Sequence, residues 1–134
     1  MEAAAASTEI QVLGWSALLL IAQVTLQASI LGNLTPAYLF SSRDEELKNT
    51  SVMAGRLNRA LRNLLETYPA FIALAVALAF TGNTGGIAAI GAIIWIICRV
   101  VYVVLYAAGI PVLRTLVWFG SIIGLALMFI RFLF

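Results

Sequence analysis

Residues 55–71 read GRLNRALRNLLETYPAF. Arg56, Arg59, Arg62, Asn63 and Glu66 crowd its first three turns, and the segment then runs into a long apolar stretch without a break. Arg59, Arg62, Asn63 and Glu66 are spaced i, i+3, i+4 and i+7, which is one face of a helix. Charged and amide groups on the shoulder of a membrane helix are costly. The stretch therefore predicts a transmembrane helix whose polar face binds a small anionic molecule, together with two later helices.

The rest of the chain is mostly apolar. Of its 134 residues 63% are hydrophobic and 10% charged, where a soluble domain is roughly half apolar and a quarter charged. Mean hydropathy is +1.03. The expectation is an all-α membrane protein. A spanning helix needs about 20 apolar residues, so four spans and short loops nearly use up the length, and residues 1–134 read as a single domain. With a net charge of only +2 and no basic patch outside the spans, nucleic acid is set aside as a partner. There is no histidine and one cysteine, Cys98, which leaves no intrachain disulfide and no metal-ligand spacing. No metal is expected, and Cys98 reads as an inert core thiol.

The spans are expected at about 10–31, 54–80, 87–108 and 112–132. Residues 1–8 hold no Lys or Arg, unlike the basic start of a secretory signal, so the first apolar segment is expected to be retained. Gln23 and Gln27 share a face of the first span, for interhelical hydrogen bonds or for a site. Gly32, Asn33 and Pro36 end that span. A charged run (Arg43, Asp44, Glu45, Glu46, Lys48) follows and reads as a solvated face or a short surface helix. Thr81 to Gly86 is a turn between antiparallel helices, and Gly109-Ile110-Pro111 breaks the third span. Gly120 and Gly124 form a small-xxx-small pair suited to close helix packing.

Basic residues set the orientation. Arg43, Lys48, Arg56, Arg59 and Arg62 surround the first loop, while the second loop and the N-terminus have none. By the positive-inside rule the first and third loops face the cytoplasm, so the sequon Asn49-Thr50-Ser51 is expected to stay unmodified. Brevity and the lack of retention signals point to a bacterial inner membrane.

Two further polar sets lie on the cytoplasmic half. Arg99, Tyr102 and Tyr106 are spaced i, i+3 and i+7, and Arg114 and Trp118 are four apart. Arg99 lies roughly 15 Å deep at 1.5 Å per residue, where an arginine costs roughly 2.5–3.5 kcal/mol by insertion scales. It must face the bundle and be paired. Glu66 is the one carboxylate at similar depth, so the two are expected in contact or in one network. Arg59, Arg62 and Arg114 then lack protein counter-ions, which suits a ligand bearing carboxylates. Other readings stand beside this one. Arg56 and Arg59 can snorkel, Arg56 especially. Arg62, Asn63 and Glu66 can be a buried structural network, Tyr102 and Tyr106 an interface belt, and Thr115 and Trp118 packing.

At these residues the sequence resembles the MAPEG family, membrane-associated proteins of eicosanoid and glutathione metabolism. The resemblance rests on Arg59, Arg62, Asn63, Glu66 and Pro69 entering the second helix. It continues with Arg99, Tyr102 and Tyr106 in the third and with Arg114 and Thr115 opening the fourth. It implies a homotrimer of four-helix subunits with glutathione between neighbours. It assigns the glutathione contacts to Arg59, Arg62, Asn63, Glu66, Arg99, Tyr102 and Tyr106, and turns Arg114 toward the sulfur. A thiol of pKa ~8.5 is only a few per cent thiolate at pH 7; a nearby guanidinium favours the anion, so no protein nucleophile is required. The function implied is a glutathione-dependent transferase or peroxidase of the detoxification type, acting on lipophilic co-substrates drawn from membrane lipid. The rival readings are a non-catalytic lipid-binding or scaffold protein of the same fold, and a drug-cation transporter. The last wants a membrane carboxylate free of arginine, and Glu66 is flanked by Arg62.

Overall fold

The computed structural model describes residues 6–30, 36–42, 44 and 51–134. Among them are five helices and no strand: α1 (Thr8–Ile30), α2 (Pro36–Leu39), α3 (Val52–Thr81), α4 (Ile87–Ala108) and α5 (Pro111–Leu133). All but α2 are long and apolar enough to cross a membrane. The protein is thus an integral, multi-pass, four-helix bundle. Gly32, Asn33, Arg43, Glu45, Glu46, Lys48, Asn49 and Thr50 lie outside the described residues.

Local chemistry sets the helix ends. Ser51 has extended backbone angles, and its hydroxyl accepts the Ala54 N–H at 3.0 Å to start α3, as an N-cap serine does. The 30 residues of α3 extend about 45 Å at 1.5 Å each, more than the ~30 Å hydrocarbon core. Its basic first turns therefore reach past the apolar layer. The α4–α5 turn needs Gly109, whose φ of +77° lets its N–H return to the Leu105 and Tyr106 carbonyls. Pro111 then opens α5 at a position where its missing N–H costs nothing.

In hydrocarbon, helices associate through van der Waals fit and hydrogen bonds rather than water exclusion. The α4–α5 hairpin is the most extensive pairing, while the backbones of α1 and α5 do not approach each other closely among the described residues. Its closeness depends on two glycines. A Cβ on Gly91 would sit 2.5 Å from the Gly124 carbonyl oxygen, and one on Gly124 would sit 2.6 Å from that of Gly91. Gly120 packs on the Cys98 sulfur. The small-residue pair thus serves close packing.

The core lies where α1, α3, α4 and α5 meet around Trp95. Its ring is fully buried and stacks on Phe71, centroids 3.9 Å apart and planes 2° apart, and on Tyr68 at 5.9 Å. The Tyr68 hydroxyl reaches Ser16 of α1 at 2.9 Å. Gln23 is buried on the same helix but its amide nitrogen has no hydrogen-bond partner, so it does not donate the interhelical bond its position invites. At the end of the bundle remote from Arg114, the buried Glu9 accepts the Gly85 N–H at 2.8 Å. One carboxylate oxygen of α1 thereby caps the turn leading into α4.

Candidate functional site

The polar face of α3 divides. Successive helical residues are turned by 100°, so Arg62 and Asn63 occupy opposite edges of one broad stripe. The Asn63 edge turns into the bundle and the Arg62 edge turns out.

On the inner edge, Arg99 of α4 is 1% exposed. It donates to Asn63 Oδ1 at 2.8 Å and to Thr67 Oγ1 at 2.6 Å. Its guanidinium carbon also lies 5.9 Å from the Trp95 ring and 5.8 Å from the Tyr102 ring, within cation–π range. Its Nε has no partner. The expected pairing with Glu66 is therefore corrected. Arg99 is held through Nη1 and Nη2 by neutral acceptors, with π faces beside it, and none of these cancels its charge. Thr67 went unrecognised; its place four residues after Asn63, on the same helix edge, is the signal that finds it.

On the outer edge, Arg62 and Glu66 pair with each other at 3.7 Å, their side chains 82% and 60% exposed. The alternative of a buried Arg62–Asn63–Glu66 network does not hold, because only Asn63 is on the inner edge. Among the described residues this is the sole ion pair. Arg59, Arg99 and Arg114 have no carboxylate partner there.

The third set lies at the α4–α5 elbow. Tyr102 is buried and its ring lies 5.5 Å from that of Tyr106. The guanidinium carbon of Arg114 sits 4.4 Å over the Tyr106 ring, and that of Arg59 lies 5.9 Å from it. A cavity of about 200 Å³ opens here, lined by Asn63, Tyr102, Arg114, Thr115 and Trp118. Thr115 and Trp118 thus line the site rather than only pack. The signal was present, since Trp118 is one turn from Arg114.

The cavity is rich in donors. Asn63 has its oxygen committed to Arg99, which leaves the amide NH₂ free to donate. Arg114 offers a guanidinium edge. Thr115 donates its own proton to the Pro111 carbonyl at 3.1 Å and keeps only acceptor capacity. Such a lining favours an acceptor-rich, anionic guest.

Arg56 has a partner that its spacing does not show. Its Nη1 donates to the Ala107 carbonyl at 3.0 Å. Of the sequence-assigned residues, the structure brings together Arg59, Asn63, Arg99, Tyr102, Tyr106 and Arg114, and leaves Arg62 and Glu66 on the outer surface.

No curated relative and no solved structure matches this chain. The model of the MAPEG family matches residues 12–134, nearly the whole length. With four apolar spans and this arginine–tyrosine cluster in place, the chain belongs to the MAPEG family.

Proposed function

We propose that the protein is a glutathione-dependent transferase or peroxidase acting on lipophilic electrophiles. The observation that carries this reading is a donor-lined cavity whose arginines, Arg99 beneath and Arg114 at the wall, have no carboxylate partner among the described residues. Glutathione brings the carboxylates and the thiolate that such a lining favours.

The cavity in one chain is smaller than the ~300–1,000 Å³ usual for a small-molecule site. The remainder of the tripeptide then lies along the outer edge of α3, where Arg62 and Glu66 form an exposed pair. A charged pair beside acyl chains is unfavourable, so a neighbouring copy covering that edge meets both needs. This supports a homotrimer with shared sites. Glu66 suits the ligand's ammonium, Arg59 and Arg62 its carboxylates, and Asn63 and Tyr102 its amides.

Arg114 then faces the sulfur. A shift of two pKa units corresponds to ~2.7 kcal/mol, which one close charge in a partly dry site can supply. In the transferase reaction the thiolate forms a sulfur–carbon bond and the leaving group departs with its electron pair. In the peroxidase reaction the thiolate attacks the terminal hydroperoxide oxygen. The O–O bond breaks, an alcohol leaves, and a second glutathione converts the sulfenic acid to disulfide and water. The basic residues flanking the start of α3 favour a cytoplasmic position for the site, in a bacterial inner membrane.

The test is equilibrium binding of glutathione to the purified protein, with thiolate ultraviolet absorbance, followed by turnover of a chlorinated aromatic and a lipid hydroperoxide. Saturable binding, a thiolate band lost in Arg114→Ala, and turnover support the reading. Binding no tighter than in a detergent blank overturns it. Binding with a thiolate band but no turnover of either substrate favours the non-catalytic reading.

A further inference from the structure

Arg56 sits away from the cavity lining, yet it touches the backbone that carries Arg114. Its Nη1 donates to the Ala107 carbonyl, in the last turn of α4. A cation there complements the negative end of the helix dipole. The same guanidinium lies flat against Gly109. A Cβ at that residue would meet Nη2, Cζ and Nη1 at 2.6, 2.8 and 2.9 Å. So Arg56, from α3, fills the notch of the α4–α5 elbow that only a glycine leaves open.

The elbow determines where two site residues meet. Tyr106 is three residues before Gly109 and Arg114 five after it, and their 4.4 Å contact spans the turn. The Arg114 amide bonds to the Ile110 carbonyl, and Ile110 N–H returns to Leu105. A change in the turn angle therefore passes directly to Arg114. Arg59, one turn on from Arg56, approaches the same Tyr106 ring.

We propose that Arg56 is a positioning residue: by wedging the α4–α5 elbow it holds the Arg114 guanidinium over Tyr106, at the wall of the cavity. The role in thiol activation rests on the glutathione reading, but the wedge itself does not.

The experiment titrates bound glutathione by its thiolate absorbance in the wild type, Arg56→Ala, Arg56→Lys, Gly109→Ala and Arg114→Ala. Amide hydrogen exchange of residues 109–114 is followed in the same proteins without glutathione. Arg56→Ala is expected to raise the apparent thiol pKa by about one unit, close to tenfold less thiolate below the pKa, and to speed exchange at the elbow. Arg56→Lys keeps a cation at the carbonyl but loses the planar wedge, so partial restoration is expected. Gly109→Ala both pushes Arg56 out of the notch and strains the turn at its positive φ, so it should shift the pKa in the same direction and by at least as much. If Arg56→Ala fails to fold, Arg56→Lys decides the matter through its thiol titration and elbow exchange. A wild-type titration curve and unchanged elbow exchange in the folded variants overturn the proposal. A wild type with no thiolate band counts against the glutathione reading instead, and the exchange measurement alone then decides the wedge.

Discussion

The guanidinium of Arg114 and the ring of Tyr106 lie 4.4 Å apart across the α4–α5 turn. An aromatic face attracts a cation but, unlike a carboxylate, carries no net charge to cancel it. Arg114 is therefore held in place while its positive field stays available to an anion. Arg114→Ala should shift the pH–rate curve upward. If bound thiol is normally ionised about two units below its free value of ~8.5, thiolate at pH 7 falls by roughly 25-fold. Stopped-flow thiolate absorbance against pH checks this, the wild type ionising at the lower pH.

Tyr106 offers a sharper comparison. Tyr106→Phe keeps the face under Arg114 and should leave the thiolate titration near wild type. Tyr106→Leu removes the face, worth roughly 0.5–2 kcal/mol, and should move the titration upward. Equal effects from the two substitutions would mean that the hydroxyl, and not the ring, matters.

These contacts also mark how far the sequence alone could be read. The four long helices were legible because an apolar run of about twenty residues ended by glycine or proline has few other uses. The clustering of Arg59, Asn63, Arg99, Tyr102, Tyr106 and Arg114 followed from helical spacing. The partner of Arg99 did not. Charge arithmetic favours Glu66, but two neutral acceptors and two rings can satisfy a guanidinium at close range. Nor does spacing reveal that the α3 stripe is wide enough to send Arg62 outward and Asn63 inward. The Arg56 bond to Ala107 was not legible either, because an arginine that caps a helix elsewhere in the chain has no local sequence signal.

The Arg99 network should be a large contributor to stability. Arg99→Leu leaves Asn63 Oδ1 and Thr67 Oγ1 without their donor, and the loss of such charge-assisted bonds costs roughly 1.5–3 kcal/mol each. Thr67→Val removes one acceptor and should cost less. Unfolding in detergent, by heat or denaturant, measures both. Thr67→Val matching Arg99→Leu would show that Thr67 alone anchors the arginine.

The outer pair should behave in the opposite way. Arg62 and Glu66 are largely exposed in the single chain, and exposed pairs are worth ~0–1 kcal/mol. Arg62→Ala and Glu66→Gln should barely change the folding of one subunit, yet weaken glutathione binding by tenfold or more. Binding titrations beside unfolding curves separate the two effects, and unaltered affinity in both variants would remove them from the site.

Gly91→Ala and Gly124→Ala should each destabilise the hairpin by roughly 1–3 kcal/mol, the usual cost of overpacking. A methyl at either position meets a backbone carbonyl rather than a movable side chain. Gly14→Ala is the control: nothing lies within 4 Å of its Cβ position, and alanine favours the helix by about 1 kcal/mol. Melting temperatures of the three variants rank them.

The carboxylate of Glu9 has a consequence for the order of assembly. Its partner, the Gly85 amide, lies 76 residues further along the chain. During synthesis α1 emerges before the amide that its acid will bind has been made. Docking of that helix is completed only after the second and third spans have been made and the turn between them has formed. A helix made before its partners is thus among the last to reach its final place.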